Sequence, residues 1–127
     1  MSSGAILIVE DYNDLRELVT VYLCARGYHV LRVPTGKAAL ETAVTANPNF
    51  ILLDLRLPDI NGVEVARELR KLPQTEHIPI VAWTADCRSK SKEEAWRSAG
   101  IIDCLEKPVS LTKLESVINR FVPIRTT

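Results

Sequence analysis

Neither sign of charge prevails in this sequence: Lys and Arg total 16, Asp and Glu total 16, and the formal net charge is zero. No global field therefore draws the chain to nucleic acid or to an anionic membrane, and function has to come from a local cluster of side chains. Long hydrophobic runs are lacking as well. The start, Met1-Ser2-Ser3-Gly4, has no basic residue, and the apolar stretch Ala5 to Val9 that follows is too short for a signal peptide or a membrane span. A cytoplasmic location is the expectation. Cysteine is scarce, with three residues, Cys24, Cys87 and Cys104, odd in number, far apart and without a CxxC spacing. They read as reduced thiols, mostly filling core space. Histidine is scarcer still: His29 and His77 stand apart in the sequence, which supports neither a histidine metal cluster nor a catalytic triad, and structural or surface roles are expected for both.

What is present fits one domain of ordinary composition. The 127 residues are 46% hydrophobic and 25% charged, enough to bury a continuous core. The apolar pattern switches regularly between strand and helix. Ala5 to Val9 reads as a strand buried on both faces, and it ends in Glu10-Asp11. A helix follows, capped by Asn13, with Leu15, Leu18, Val19, Tyr22 and Leu23 on one face and Gly27 closing it. Tyr28 to Val33 is a more polar strand suited to a sheet edge. Thr35 caps a second helix with Ala39, Leu40, Ala43 and Val44 inward, which Asn47-Pro48 stops.

Phe50 to Asp54 is the third strand. It delivers one carboxylate to its C-terminal end before the chain breaks at Pro58 and turns through Asn61-Gly62. A third helix spans about Gly62 to Lys71, with Val65, Ala66, Leu69 and Leu72 inward and Leu72-Pro73 at its end. Ile78 to Thr84 is the fourth strand, with Pro79 tolerated near its start. Asp86 to Ser98 is a weakly amphipathic helix in which Trp96 reads as core or half-buried. Ile101 to Glu106 makes the fifth strand, and Ser110 caps a last helix with Leu111, Leu114, Val117, Ile118 and Phe121 on one face. Five strands alternating with five helices, several strands apolar throughout, predict an α/β fold: a doubly wound, five-stranded parallel sheet covered on both faces. The whole of 1–127 is expected to be a single domain, with its core over about 5–121 and a short tail over 122–127.

Open parallel sheets bind ligands beyond the carboxyl ends of their strands. Those ends carry Glu10 and Asp11, Asp54, Thr84 and, just past the fifth strand, Lys107. Three carboxylates would share one rim with a hydroxyl and an ammonium. Like charges about 4 Å apart repel by roughly 4 kcal/mol at an effective dielectric near 20, so the cluster calls for a cation. An oxygen-only donor set suits Mg²⁺, and phosphoryl chemistry suits the whole: a carboxylate as nucleophile, a metal and a lysine as clamp, and a hydroxyl as donor.

From Ile6-Leu7-Ile8-Val9-Glu10-Asp11, through Asp54, Pro58, Asn61-Gly62 and Trp83-Thr84-Ala85, to Glu106-Lys107-Pro108 and Leu114, the sequence resembles a response-regulator receiver domain over nearly its whole length. The resemblance implies a flavodoxin-like fold with strand order 2-1-3-4-5. It also implies that Asp54 is the phosphoacceptor of a two-component system, charged by a sensor histidine kinase or a histidine phosphotransfer protein. Mg²⁺ would be held by Glu10, Asp11, Asp54 and the backbone carbonyl of Arg56. Lys107 would pair with the phosphoryl oxygens, Thr84 would hydrogen-bond to them, the Lys107-Pro108 peptide would be cis, and Gly62 would permit a turn closed to larger residues.

Three positions depart from the family pattern, and one of them, Glu10 in place of the commoner Asp, keeps the charge and lengthens the arm. Cys104 stands where an aromatic is common, and Ile101 where a small residue is usual, so the signal is expected to run through the loop after Thr84 and the fourth helix. Arg56 and Asp86, two positions beyond Asp54 and Thr84, are candidates to pair over the site and hinder hydrolytic water.

The resulting expectation is a phosphorylation-driven switch that acts on an output protein by contact. It would not turn over an external substrate, would bind no nucleic acid or membrane, and would be a monomer or a weak, phosphorylation-dependent dimer. A phosphorelay intermediate and a receiver piece of a larger regulator or hybrid kinase are the alternatives. A metal-dependent phosphatase is disfavoured, because Leu55-Arg56 follows Asp54 where such enzymes carry a second aspartate two residues on.

Overall fold

The computed structural model describes residues 4–87 and 89–122. The strands are β1 (Ala5–Val9), β2 (His29–Val33), β3 (Phe50–Leu53), β4 (Ile80–Thr84) and β5 (Asp103–Glu106), and they alternate with α1 (Asn13–Ala25), α2 (Gly36–Ala46), α3 (Gly62–Arg70), α4 (Lys90–Ser98) and α5 (Leu111–Asn119). The strands form one parallel sheet in the order β2-β1-β3-β4-β5. The topology is the expected one, and the polar β2 does lie at an edge.

Strand periodicity divides the core in two. Leu7, Val9, Ile51, Leu53, Ile80 and Ala82 face α2, α3 and α4, where Ala39, Ala43, Val65, Ala66, Leu69 and Trp96 meet them. Ile6, Ile8, Phe50, Leu52, Val81 and Trp83 face α1 and α5, packing on Val19, Leu23, Leu114, Val117 and Ile118. With both faces covered, the central strands are buried throughout, which is why they read as unbroken apolar runs.

Several local expectations change. Asn13 is the first helical residue of α1 and not its cap; Tyr12 occupies the cap position without a side-chain hydrogen bond, and Asn13 accepts from Arg16 instead. Leu18 is 54% exposed because the buried face of α1 is narrow, set by Val19, Thr20 and Leu23. Val44 and Leu72 are also exposed, Val44 on the outer face of α2 and Leu72 beyond the end of α3. α4 begins at Lys90 and not at Asp86, with Ser89 as its cap, accepting from the backbone N–H of Lys92. Val122, assigned to the tail, is buried in the cluster beneath α1 and α5. The tail residues 123–127 and Met1 to Ser3 lie outside the described residues.

The cysteine expectation fails. Cys87 and Cys104 are joined by a disulfide, and Cys24 is free and exposed on α1. Parallel pairing sets Ala82 beside Cys104 and Thr84 beside Glu106, and the chain leaving β4 turns back along β5. Cys87 thereby comes to a Cα separation of 6.0 Å from Cys104, within disulfide range. A spacing of 17 residues gives no hint of this in the sequence.

Candidate functional site

The strand order reverses between β1 and β3, so the crevice beyond their carboxyl ends is where this topology opens a site. β1 hands on Glu10 and Asp11 there, and β3 hands on Asp54. The pairing of Val9 with Leu53 brings the two exits level, and the Asp54 backbone N–H donates to the Val9 carbonyl at 3.0 Å. Carboxylate oxygens of Glu10, Asp11 and Asp54 all lie within 4.8 Å of one another. Glu10 and Asp54 are 1% and 4% exposed, whereas Asp11 is open to solvent.

Lys107 reaches this cluster from beyond β5. Its Nζ donates to Glu10 Oε1 at 2.5 Å and to Asp54 Oδ2 at 3.4 Å, and lies 4.7 Å from the centre of the Trp83 ring. The Lys107 backbone N–H donates to the Thr84 carbonyl at 2.8 Å, which fixes the exit of β5 against the end of β4, and the Lys107-Pro108 peptide is cis. Thr84 is buried at the tip of β4 and lines, with Arg56 and Asn61, a cleft of about 550 Å³. Asp86 lines the same cleft, and its carboxylate pairs with Lys92 at 2.6 Å.

Burial is the main force on Glu10: it raises the carboxyl above its ordinary 4.5, opposed by the Lys107 ammonium and the Tyr12 N–H, and reinforced by the charge of Asp54. One ammonium facing three carboxylates leaves negative charge over. The donor set is entirely carboxylate oxygen, and Asp11 keeps one side open to water, as a hard cation that retains part of its hydration shell requires. The residues present therefore fit Mg²⁺.

The loop after Asp54 is held from two sides. The Arg56 backbone N–H donates to Asp54 Oδ1 at 3.0 Å, orienting the carboxylate. At Gly62 the expected reason is replaced by another. Gly62 has no positive φ among the described residues, but a Cβ there would stand 2.6 Å from both the Asp54 carbonyl oxygen and the Leu55 Cα. Close approach, not turn conformation, calls for glycine.

Asp59 was missed in the sequence. Its carboxylate accepts from the backbone N–H groups of Gly36 and Lys37, at 2.8 and 2.9 Å, pinning the loop after β3 to the start of α2. An acidic residue directly after Pro58 in a loop was the available signal. The support that Trp83 gives Lys107 was missed too, because Trp83 reads simply as core, which it also is.

A family model described as the response regulator receiver domain matches residues 6–119. The chain belongs to this family. It is 32% identical over 118 residues to the polar-differentiation response regulator DivK of Brucella ovis, across 93% of this chain and 95% of that protein. Among solved structures it resembles the receiver domain of the sensor histidine kinase PA1611 of Pseudomonas aeruginosa PAO1, with 30% identity, a TM-score of 0.85, and coverage of 95% of this chain and 98% of that one. That structure holds a magnesium ion in its active-site cleft. The chemotaxis protein CheY4 of Vibrio cholerae superposes with a TM-score of 0.88 at 27% identity, over 94% of this chain and 99% of that one. The receiver fold of two-component signalling, with five parallel strands in the order 2-1-3-4-5, is thus the frame in which the acidic crevice sits. Among the described residues no helix is long and apolar enough to cross a membrane.

Proposed function

We propose that this receiver domain accepts a phosphoryl group on Asp54 and passes the signal on by protein contact. The observation that carries the reading is Lys107 Nζ held between Glu10 Oε1 and Asp54 Oδ2 within a group of three carboxylates. That arrangement presents a carboxylate nucleophile and, beside it, a cation able to receive phosphoryl oxygens.

In the proposed reaction an oxygen of the Asp54 carboxylate attacks the phosphorus of a phosphohistidine on a sensor histidine kinase or a histidine phosphotransfer protein. The P–N bond breaks, its electron pair stays on the imidazole, and an acyl phosphate remains on Asp54. Lys107 follows the new negative charge, exchanging part of its contact with Glu10 for a phosphoryl oxygen. The Thr84 hydroxyl donates to a second oxygen, and the Arg56 N–H keeps the carboxylate aimed during attack. Mg²⁺ held by Glu10, Asp11, Asp54 and the Arg56 carbonyl would supply the positive charge that one lysine cannot. No external substrate is turned over; the chain modifies itself, acts in the cytoplasm as a monomer or weak dimer, and takes an output protein as its partner.

Mass spectrometry after incubation with Mg²⁺ and acetyl phosphate tests this directly. The parent should gain one alkali-labile, hydroxylamine-sensitive phosphoryl group, and Asp54→Asn should gain none. A parent that stays unmodified, or a variant that is modified equally, would sink the assignment.

A further inference from the structure

We propose that Cys87 and Cys104 form a reversible thiol–disulfide site that sets how far the connection between β4 and α4 can move when Asp54 is phosphorylated. The gating half of this rests on the reading of Asp54 as the acceptor; the redox half does not.

The bond lies between two segments that serve the crevice. Cys87 follows Thr84 by three residues and Cys104 precedes Lys107 by three, so the bridge joins the exit of β4 to the edge strand that delivers the lysine. A second, weaker tie runs beside it, the Cys87 backbone N–H donating to Glu106 Oε1 at 3.4 Å. The loop closed by the bond contains all of α4. That helix is otherwise lightly held: of Lys90–Ser98 only Trp96 is buried, with Ala99 just beyond it. An element with so little apolar contact opens at low cost, so a covalent tie at its entry decides much of its freedom.

Cys87 is buried and Cys104 half-buried, so a small thiol would approach the bond from the Cys104 side. Both cysteines line an open groove of about 520 Å³ flanked by Trp96 and Arg97 of α4 and Lys113 of α5. A disulfide on such a groove, in a chain expected in a reducing compartment, is of the kind that forms and breaks in use.

The chemistry closes with a glutathione-class couple. A glutathione thiolate attacks one sulfur, the S–S bond breaks, and its electron pair leaves on the other cysteine, which takes up a proton. A second glutathione thiolate then attacks the mixed disulfide. One protein disulfide and two thiols become one protein dithiol and one small disulfide; two electrons pass to the protein with two protons, and oxidation by glutathione disulfide is the reverse. In the oxidised form the connection between β4 and α4 is tied to β5 at Cys87. In the reduced form it is free to follow Thr84.

The experiment uses the full chain equilibrated across ratios of reduced to oxidised glutathione, alkylated in the native state and after denaturation, and weighed. The expected result is interconversion between a form with one alkylatable cysteine, Cys24, and a form with three. Hydrogen exchange is then followed across 85–106 in both forms, with and without acetyl phosphate and Mg²⁺. Phosphorylation should change exchange over 85–98 on the order of tenfold more in the reduced form than in the oxidised one. Cys87→Ser with Cys104→Ser should respond like the reduced form under all conditions, and Cys24→Ser should behave like the parent.

Three alkylatable cysteines in fully oxidising buffer would overturn the site, and a bond that excess glutathione never opens in the folded protein would overturn its reversibility. A cycling bond with equal exchange responses in both forms would overturn the gate. If Asp54 stays unphosphorylated in both redox states, the acceptor reading fails and takes the gate with it.

Discussion

At Gly62 a single methyl group would meet backbone, not the yielding tip of a side chain: the Asp54 carbonyl oxygen and the Leu55 Cα both lie 2.6 Å from where it would stand. Main chain at the end of a buried strand cannot give way without moving Asp54 itself. Gly62→Ala should therefore destabilise the fold by about 1–3 kcal/mol through overpacking, and the loss should appear as a lower denaturant midpoint at unchanged slope. Phosphorylation by acetyl phosphate should slow in the same variant, because the displaced carbonyl belongs to the proposed nucleophile. The companion test is Arg56→Ala, which leaves the backbone N–H to Asp54 Oδ1 in place and should leave stability unchanged in the same denaturant titration. At this scale residue identity was legible and residue reason was not. Asn61-Gly62 marks a turn in any sequence, but which atoms crowd the glycine depends on how closely α3 starts against the strand tip.

The start of α2 depends on a carboxylate from another element. Asp59 accepts from the Lys37 and Gly36 N–H groups, and these bonds, in that order, lower its carboxyl below the ordinary 3.8. A depressed acid contributes stability that is fully present above its unfolded value and is lost as pH falls through the folded one. Asp59→Asn should thus be less stable than the parent at neutral pH, and the gap should close as the pH is taken below 3.8, as read from denaturant midpoints of both proteins along a pH series. Elements differed in how plainly the sequence announced them, for one physical reason. β1, β3 and β4 are buried on both faces, so their apolar runs are set by the sheet alone. Ser110 and Thr35 cap α5 and α2 as read, since a cap is a local bond. α4 was placed four residues too early because a helix that buries only Trp96 leaves almost no apolar period to follow. The disulfide was invisible because it depends on β4–β5 register and on a backbone reversal, neither of which a cysteine count contains.

For the molecule as a whole, net charge is zero and the sheet is covered on both faces, yet among the described residues three carboxylates are forced together at the switch point between β1 and β3. The gathering of the candidate residues was legible because each sits at or just past a strand end, and parallel topology sends all those ends to the same side. Folding collects Glu10, Asp11 and Asp54, and an unfolded chain does not. A divalent cation that binds the crevice therefore binds the native state alone and must raise its stability by mass action, by about 2.7 kcal/mol at a hundredfold excess over the dissociation constant. Mg²⁺ should raise the melting temperature of the parent in a concentration-dependent way that Na⁺ at equal ionic strength does not reproduce. Asp11 is exposed and bears little of the fold, so Asp11→Asn should melt close to the parent without metal and lose most of the Mg²⁺-dependent rise. Lys107→Met should show the reverse pattern. Removing the ammonium between Glu10 and Asp54 strands two nearly buried carboxylates, lowering the metal-free melting temperature and widening the rise that Mg²⁺ restores. Equal Mg²⁺ responses in the parent and Asp11→Asn would show that the carboxylates do not act as one cation site.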